Sequence, residues 1–164
     1  MSALTAASLL SSGGVPSAIS AQLTFNGTAG TNFGYSTSGL TPGLSLRFAQ
    51  EANTSALATG RYNWQMDVTT TSGGVQTVHA FTGSTNVVNR NSSTAAFGRG
   101  WQLAGLDQLV SQTGGMLFVR SDGTTLWFAD NGSGGYLHAD GDDTYSTLVK
   151  NANLTYTLTA THSN

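Results

Sequence analysis

The 164-residue chain contains no cysteine. That absence excludes disulfide stapling, thiolate zinc sites and thiol nucleophiles, and leaves an extracellular address open. Charge is scarce as well, at 9% of residues, where an ordinary soluble domain carries about 25%. Lys150 is the one lysine and Glu51 the one glutamate. Six cationic residues against eight anionic ones make no basic stripe for a phosphate backbone, so no nucleic-acid partner is expected. Apolar runs last only a handful of residues, far short of the ~20 that a spanning helix requires, so no membrane span is expected. The opening MSALTAASLLSSGGVPSA lacks the positive n-region of a secretory signal and reads as the start of an excised segment.

In place of charge the chain has 21 glycines, and serine, threonine and asparagine at most polar positions. Disordered chains share that polarity but lack aromatics and carry high net charge. Here there are 7 Phe, 5 Tyr and 3 Trp, with a formal net charge of −2, so the chain is expected to fold. Thr, Val, Tyr and Phe recur in short runs between Gly and Asn, a pattern of strands and turns. The expected fold is all-β: a small antiparallel β-sandwich followed by a β-hairpin meander, the halves either sharing one core or keeping their own. Residues 1–18 read as a leader or linker, 19–90 as the sandwich-like module and 91–164 as the hairpin module. This cysteine-free, lysine-poor composition points to an extracellular or cell-surface location.

Alternation locates the strands. AQLTFNG puts Leu23 and Phe25 on one face and ends in the turn pair Asn26-Gly27. LSLRFAQEA sets Leu44, Leu46 and Phe48 opposite Ser45, Arg47 and Ala49. GRYNWQMDVTTT alternates Tyr62, Trp64, Met66 and Val68 with polar residues, turns at Gly73-Gly74 and returns through VQTVHAFTG. TNVVNR reads as a further strand closing that half. In the second half, MLFVRSDGTTLWFAD carries Asp122-Gly123 between apolar-rich strands, and YSTLVKNANLTYTLT folds back at an Asn-rich turn.

FGRGWQLAGLDQLV, residues 97–110, breaks the polar alternation. Gly98 and Gly100 permit a sharp bend. Phe97 and Trp101 are expected to bury aromatic area beside it, with Leu103, Leu106, Leu109 and Val110 anchoring the second sheet. Together with the two later hairpins, this stretch resembles the region ahead of the YD repeats in bacterial RHS-repeat surface and toxin-delivery proteins. The matching positions are Phe97, Gly98, Gly100, Trp101 and Leu106, then Asp122, Gly123, Phe128, Gly135 and Tyr136, and finally Leu148, Asn151, Thr155, Tyr156 and Leu158. The chain departs from that pattern at Asn153-Leu154, where a glycine is usual, and it lacks the long run of YD repeats. The resemblance implies a non-catalytic structural module that begins or plugs a larger β-assembly, with flanking domains as its partners.

Candidate chemistry is thin. His79, His138 and His162 share no metal-ligand spacing, and no GxSxG elbow is present. No cofactor is expected. Asp140, Asp142 and Asp143 crowd one loop just after Asp130 and Asn131, which gives either a calcium-type oxygen cluster or a solvated turn. Leu148 and Lys150 alternate onto one face, so an inward-facing Lys150 could crosslink to an Asn or Asp acceptor with Glu51 as the acid, because burial frees the amine as a nucleophile. A solvent-facing Lys150 beside a hairpin turn is the alternative. Tyr62, Trp64 and Trp127, if exposed, would offer stacking platforms for a glycan, and a protein ligand is the other option.

Overall fold

The computed structural model describes residues 2–9, 14–90, 98–101, 103–139 and 145–160, the first segment by its backbone. Phe97, Asp140, Asp142, Asp143 and His162 lie outside the described residues. The fold is all-β, and the chain divides into two compact units: Met1–Ala56 with Tyr62–Thr85, and Leu57–Arg61 with Asn86–Asn164.

The first unit carries β1 (Ser2–Leu9), β2 (Ala18–Phe25), β3 (Thr28–Tyr35), β4 (Ser45–Ala52), β5 (Gly60–Ser72) and β6 (Val75–Val87), the outer ends of β5 and β6 counting with the second unit. One sheet has the order β3-β2-β5-β6, and β1 pairs antiparallel with β4 in another. The first sheet is organised by β2, paired on both edges and buried at every second residue: Ile19, Ala21, Leu23 and Phe25. Its register with β5 sets Ala21 opposite Val68 and Leu23 opposite Met66, both partners also buried. Asn26 and Gly27 have φ of 48° and 75°. Two left-handed residues in succession match the twist of a tight hairpin, which is why Asn-Gly sits there.

β4 turns Phe48 and Gln50 inward. Phe48 meets Tyr35 of β3 edge-on, with ring centroids 4.9 Å apart. Gln50 has a more demanding task. The pairing of β2 with β3 slips between Gln22 and Thr24, so that Leu23 has no register partner on β3, while Ala21 just before stays opposite Phe33. The Gln50 Nε2 donates to the Ala21 carbonyl at 2.6 Å, and its Oε1 accepts from the Leu23 N–H at 2.9 Å. One buried carboxamide thus presents a donor and an acceptor to the strand, as a neighbouring peptide group would.

Two features of this unit differ from the sequence reading. The opening residues, expected as a leader, supply β1, in register with β4 from Ser2 opposite Ala52 to Leu9 opposite Ser45. Its two leucines, Leu4 and Leu9, are five residues apart among Ala, Ser and Thr, so the sequence shows no apolar alternation to betray the strand. Thr85, Asn86 and Val87 of the closing TNVVNR segment, read apart from the hairpin, are the end of β6. That strand is the sheet edge and is exposed along most of its length, so its apolar residues follow no inward pattern.

In the second unit β7 (Gln108–Gln112), β8 (Gly115–Val119) and β9 (Thr125–Ala129) form an antiparallel meander, and β10 (Thr147–Lys150) pairs with β11 (Tyr156–Thr159). Met116, Phe128, Ala139 and Leu148 are buried together, surrounded by half-buried Leu109, Phe118, Leu126, Tyr136, Tyr156 and Leu158. In the β10–β11 turn, Leu154 is held at φ 65° and is 73% exposed. A leucine there meets the steric cost of the left-handed region and gains no burial in return.

Gln50→Leu keeps similar bulk but leaves the buried Leu23 N–H without its acceptor and takes a donor from the Ala21 carbonyl. At ~1–3 kcal/mol for each unsatisfied group, denaturant unfolding should report a loss of about 3 kcal/mol. Leu154→Gly should raise stability by about 1 kcal/mol, because the turn conformation suits glycine.

Candidate functional site

The hairpin of β5 and β6 places polar side chains side by side on the face away from the buried residues. Asn63 and Gln65 alternate to that face, Gln65 opposite Thr24 of β2, while Trp64 falls on the other face with its register partner Phe25. Thr24, Asn63, Gln65, Thr82 and Ser84, with Gly27, Trp64 and Gly83, line an open groove of about 490 Å³. The groove's side chains already hydrogen-bond, Asn63 within the lining and Gln65 to Asp67 next to it. Ser84 Oγ donates to Asn63 Oδ1 at 2.9 Å, and Gln65 Nε2 donates to Asp67 Oδ1 at 2.8 Å.

Gly83 has a packing reason. A Cβ there would lie 2.7 Å from Trp64 Cζ2, so the missing side chain is what lets the indole lie against β6. None of the lining residues is charged. Carboxamides and hydroxyls each offer both donors and acceptors, and such a lining suits a neutral, hydroxyl-rich ligand better than an ion.

The stacking platforms expected from the sequence are not laid open. Tyr62, Trp64 and Trp127 are all half-buried. Tyr62 lies 6.2 Å from Phe25, centroid to centroid. In the second unit, the Arg61 guanidinium sits 5.4 Å from the Trp127 ring centroid, and Gly115 passes so close that a Cβ would be 2.7 Å from Trp127 Cζ2. The Trp127 indole is therefore taken up by its own neighbours. Among the three, only Trp64 borders the groove.

The stretch at 97–110 also departs from expectation. Gly98 and Gly100 do bend the chain, at φ 91° and 79°. The bend closes on itself, with Trp101 N donating to the Gly98 carbonyl at 3.3 Å and Gly100 N to the Arg90 carbonyl at 2.6 Å. Trp101 is 74% exposed, and Leu103 and Leu106 are exposed too. Leu109 and Val110 are half-buried within β7. The indole lies beside its own turn, where a Cβ on Gly98 would be 3.9 Å from its Cδ1, and not in a core.

Other motif positions are brought together. Asp122 Oδ1 accepts from both Thr124 N (2.8 Å) and Thr124 Oγ1 (2.7 Å) in the β8–β9 turn. These bonds, the backbone one first, hold its carboxyl below the usual carboxylate value. Gly123 lies in the same turn at φ 92°. Tyr136 and Tyr156 stand 6.3 Å apart, centroid to centroid. Burial first, and then the Tyr156 hydroxyl, pushes the Tyr136 phenol up.

Lys150 does not face a core. It shares the Leu148 side of β10, but Leu148 lies opposite Leu158 while Lys150 lies one pair nearer the turn, opposite Tyr156, where the hairpin is exposed. Glu51 is exposed on β4. The burial that would free the Lys150 amine for crosslinking is not provided. His79 and His138 are exposed, and no cluster of metal-ligating side chains occurs among the described residues. No helix among the described residues is long and apolar enough to cross a membrane.

The groove was hidden in the sequence because its residues come from three strands, and each is an ordinary Thr, Ser, Asn or Gln. The one usable signal was the alternation of Asn63 and Gln65 about Trp64, read with the hairpin turn at Gly73-Gly74. No protein-family model, curated protein or solved structure matches this chain.

Proposed function

We propose that this chain is a non-catalytic structural and adhesion module of a large bacterial extracellular protein of the RHS-like kind, joined to flanking domains, and that it adheres through neutral glycans held in the β5–β6 groove. The observation that carries the adhesive part is the groove lining: carboxamides and hydroxyls from three strands around an open volume of about 490 Å³, with no charged member. Vicinal sugar hydroxyls are donors and acceptors together, the complement of Asn63, Gln65 and Ser84. The resemblance of the 97–158 pattern to the region ahead of YD repeats supports the structural part, and the cysteine-free, charge-poor composition supports the extracellular one.

Contacts of this kind in an open groove give weak binding, of the order of 1 mM, or about 4 kcal/mol. Titrating the labelled protein with soluble cello-, malto- and chito-oligosaccharides should shift the side-chain amide resonances of Asn63 and Gln65 and the backbone amide resonance of Trp64 between them. Asn63→Ala should weaken the response about tenfold, the loss of roughly one hydrogen bond. A panel that leaves all three residues unmoved would overturn the adhesive reading.

A further inference from the structure

The chain has two Asn-Gly sequences, Asn26-Gly27 and Asn131-Gly132. Asn-Gly is the sequence in which a following backbone nitrogen reaches an asparagine side chain most easily, because glycine offers no Cβ to obstruct the approach. At Asn131 the loop after β9 also supplies the other parts of an acyl-transfer site. Gly132 N donates to Asp130 Oδ1 at 2.7 Å, so a carboxylate sits on the one proton that must leave if Gly132 N is to attack. The Asn131 side-chain carbonyl points into two backbone donors, accepting from Ser133 N at 2.8 Å and Gly135 N at 3.0 Å. Two N–H groups on one carbonyl oxygen stabilise the charge that develops there during attack.

The loop is held in this arrangement from both ends. Asn131 N donates to the Gly135 carbonyl at 3.0 Å, and Asp130 and Tyr136 form an antiparallel bridge. Gly135 packs closely on the asparagine, since a Cβ there would lie 2.8 Å from Asn131 Nδ2 and push the carboxamide aside. Asp130, Asn131, Gly132, Ser133 and Gly134 are all exposed, so water has access. Asn26-Gly27 provides a comparison within the same molecule. It forms the β2–β3 turn, and among the described residues no carboxylate bonds the Gly27 amide.

We propose that Asn131-Gly132 is a self-modification site, at which Asp130 acts as general base and the Ser133 and Gly135 amides as the oxyanion donors for closure of a succinimide. Gly132 N forms a bond to Asn131 Cγ, and the Cγ–Nδ2 bond breaks. The proton from Gly132 N passes through Asp130 to the departing Nδ2, which leaves as ammonia. Water then opens the ring at either carbonyl to give aspartate or isoaspartate at position 131. The second product adds a backbone atom within the turn that the Asp130–Tyr136 bridge closes, so the modification is written into the fold of the second unit.

The test is peptide mapping and intact mass of the folded chain after incubation at neutral pH, beside the same chain in urea. Asn131 should first lose one ammonia and then gain one water. It should convert roughly a hundredfold faster folded than unfolded, the low end of what a positioned base contributes, and ahead of Asn26. Asp130→Asn should bring Asn131 back to about the unfolded rate, with the circular dichroism spectrum confirming that the variant folds. Conversion of Asn131 more slowly in the folded chain than in urea, no faster than that of Asn26, or unchanged in Asp130→Asn would overturn the proposal.

Discussion

The carboxamide of Gln50 is the interaction on which the first unit depends. β2 is paired on both sides, yet its register against β3 slips at the centre of the strand. The slip leaves Leu23 without a partner on β3 in the place where water is excluded. Gln50 reaches it from β4 and so does two things at once: it satisfies the strand and ties the β1–β4 sheet to the larger one. Once β2 is fixed, β5 takes its register from it, and β6 is the next strand in the sheet. The groove of Asn63, Gln65, Thr82 and Ser84 is the outer face of that last pair. Its geometry follows from a side chain on the opposite face of the sheet.

Much of this was legible in the sequence, and the parts that were not share a physical cause. Alternation found β2 and β5, because one face of each is packed and the other is polar, while β8 and β9 showed themselves as apolar runs on either side of Asp122-Gly123. Asn26-Gly27, Gly73-Gly74 and Asp122-Gly123 marked their turns because so few residues tolerate φ above zero. β1 escaped since its two leucines, five residues apart among Ala, Ser and Thr, show no alternation. β6 outran its expected end because an edge strand follows the ladder and not an apolar pattern. Gln50 continued the Leu46, Phe48 alternation in plain view, but a glutamine in that position reads as polar until its hydrogen-bond partners are known. Trp101 misled in the other direction: an aromatic beside two glycines suggests a corner of a core, whereas these glycines close a local turn and the indole is exposed.

With so little charge, the chain uses amides and hydroxyls where other proteins use ion pairs. Asn151 donates to both Thr155 Oγ1 and Thr157 Oγ1, Asn86 to Thr125 Oγ1, and Ser84 to Asn63. Such bonds are short-range and barely screened by salt, unlike surface ion pairs. Among the described residues no buried side-chain polar atom lacks a partner. The same economy has a chemical consequence. The succinimide closure proposed at Asn131 draws on bonds of the same kind, from the Ser133 and Gly135 amides to its side-chain carbonyl and from the Gly132 amide to Asp130.

Amide hydrogen exchange at Leu23 tests the structural claim most directly. Leu23 N–H has no strand partner at the slip in the β2–β3 register and owes its acceptor to Gln50. Exchange as slow as that of the slowest β2 amides, governed by global unfolding, is the expected result. Exchange as fast as the exposed edge strand β6 would mean that the Gln50 carboxamide does not close the ladder, and the link from β4 to the groove would fail with it.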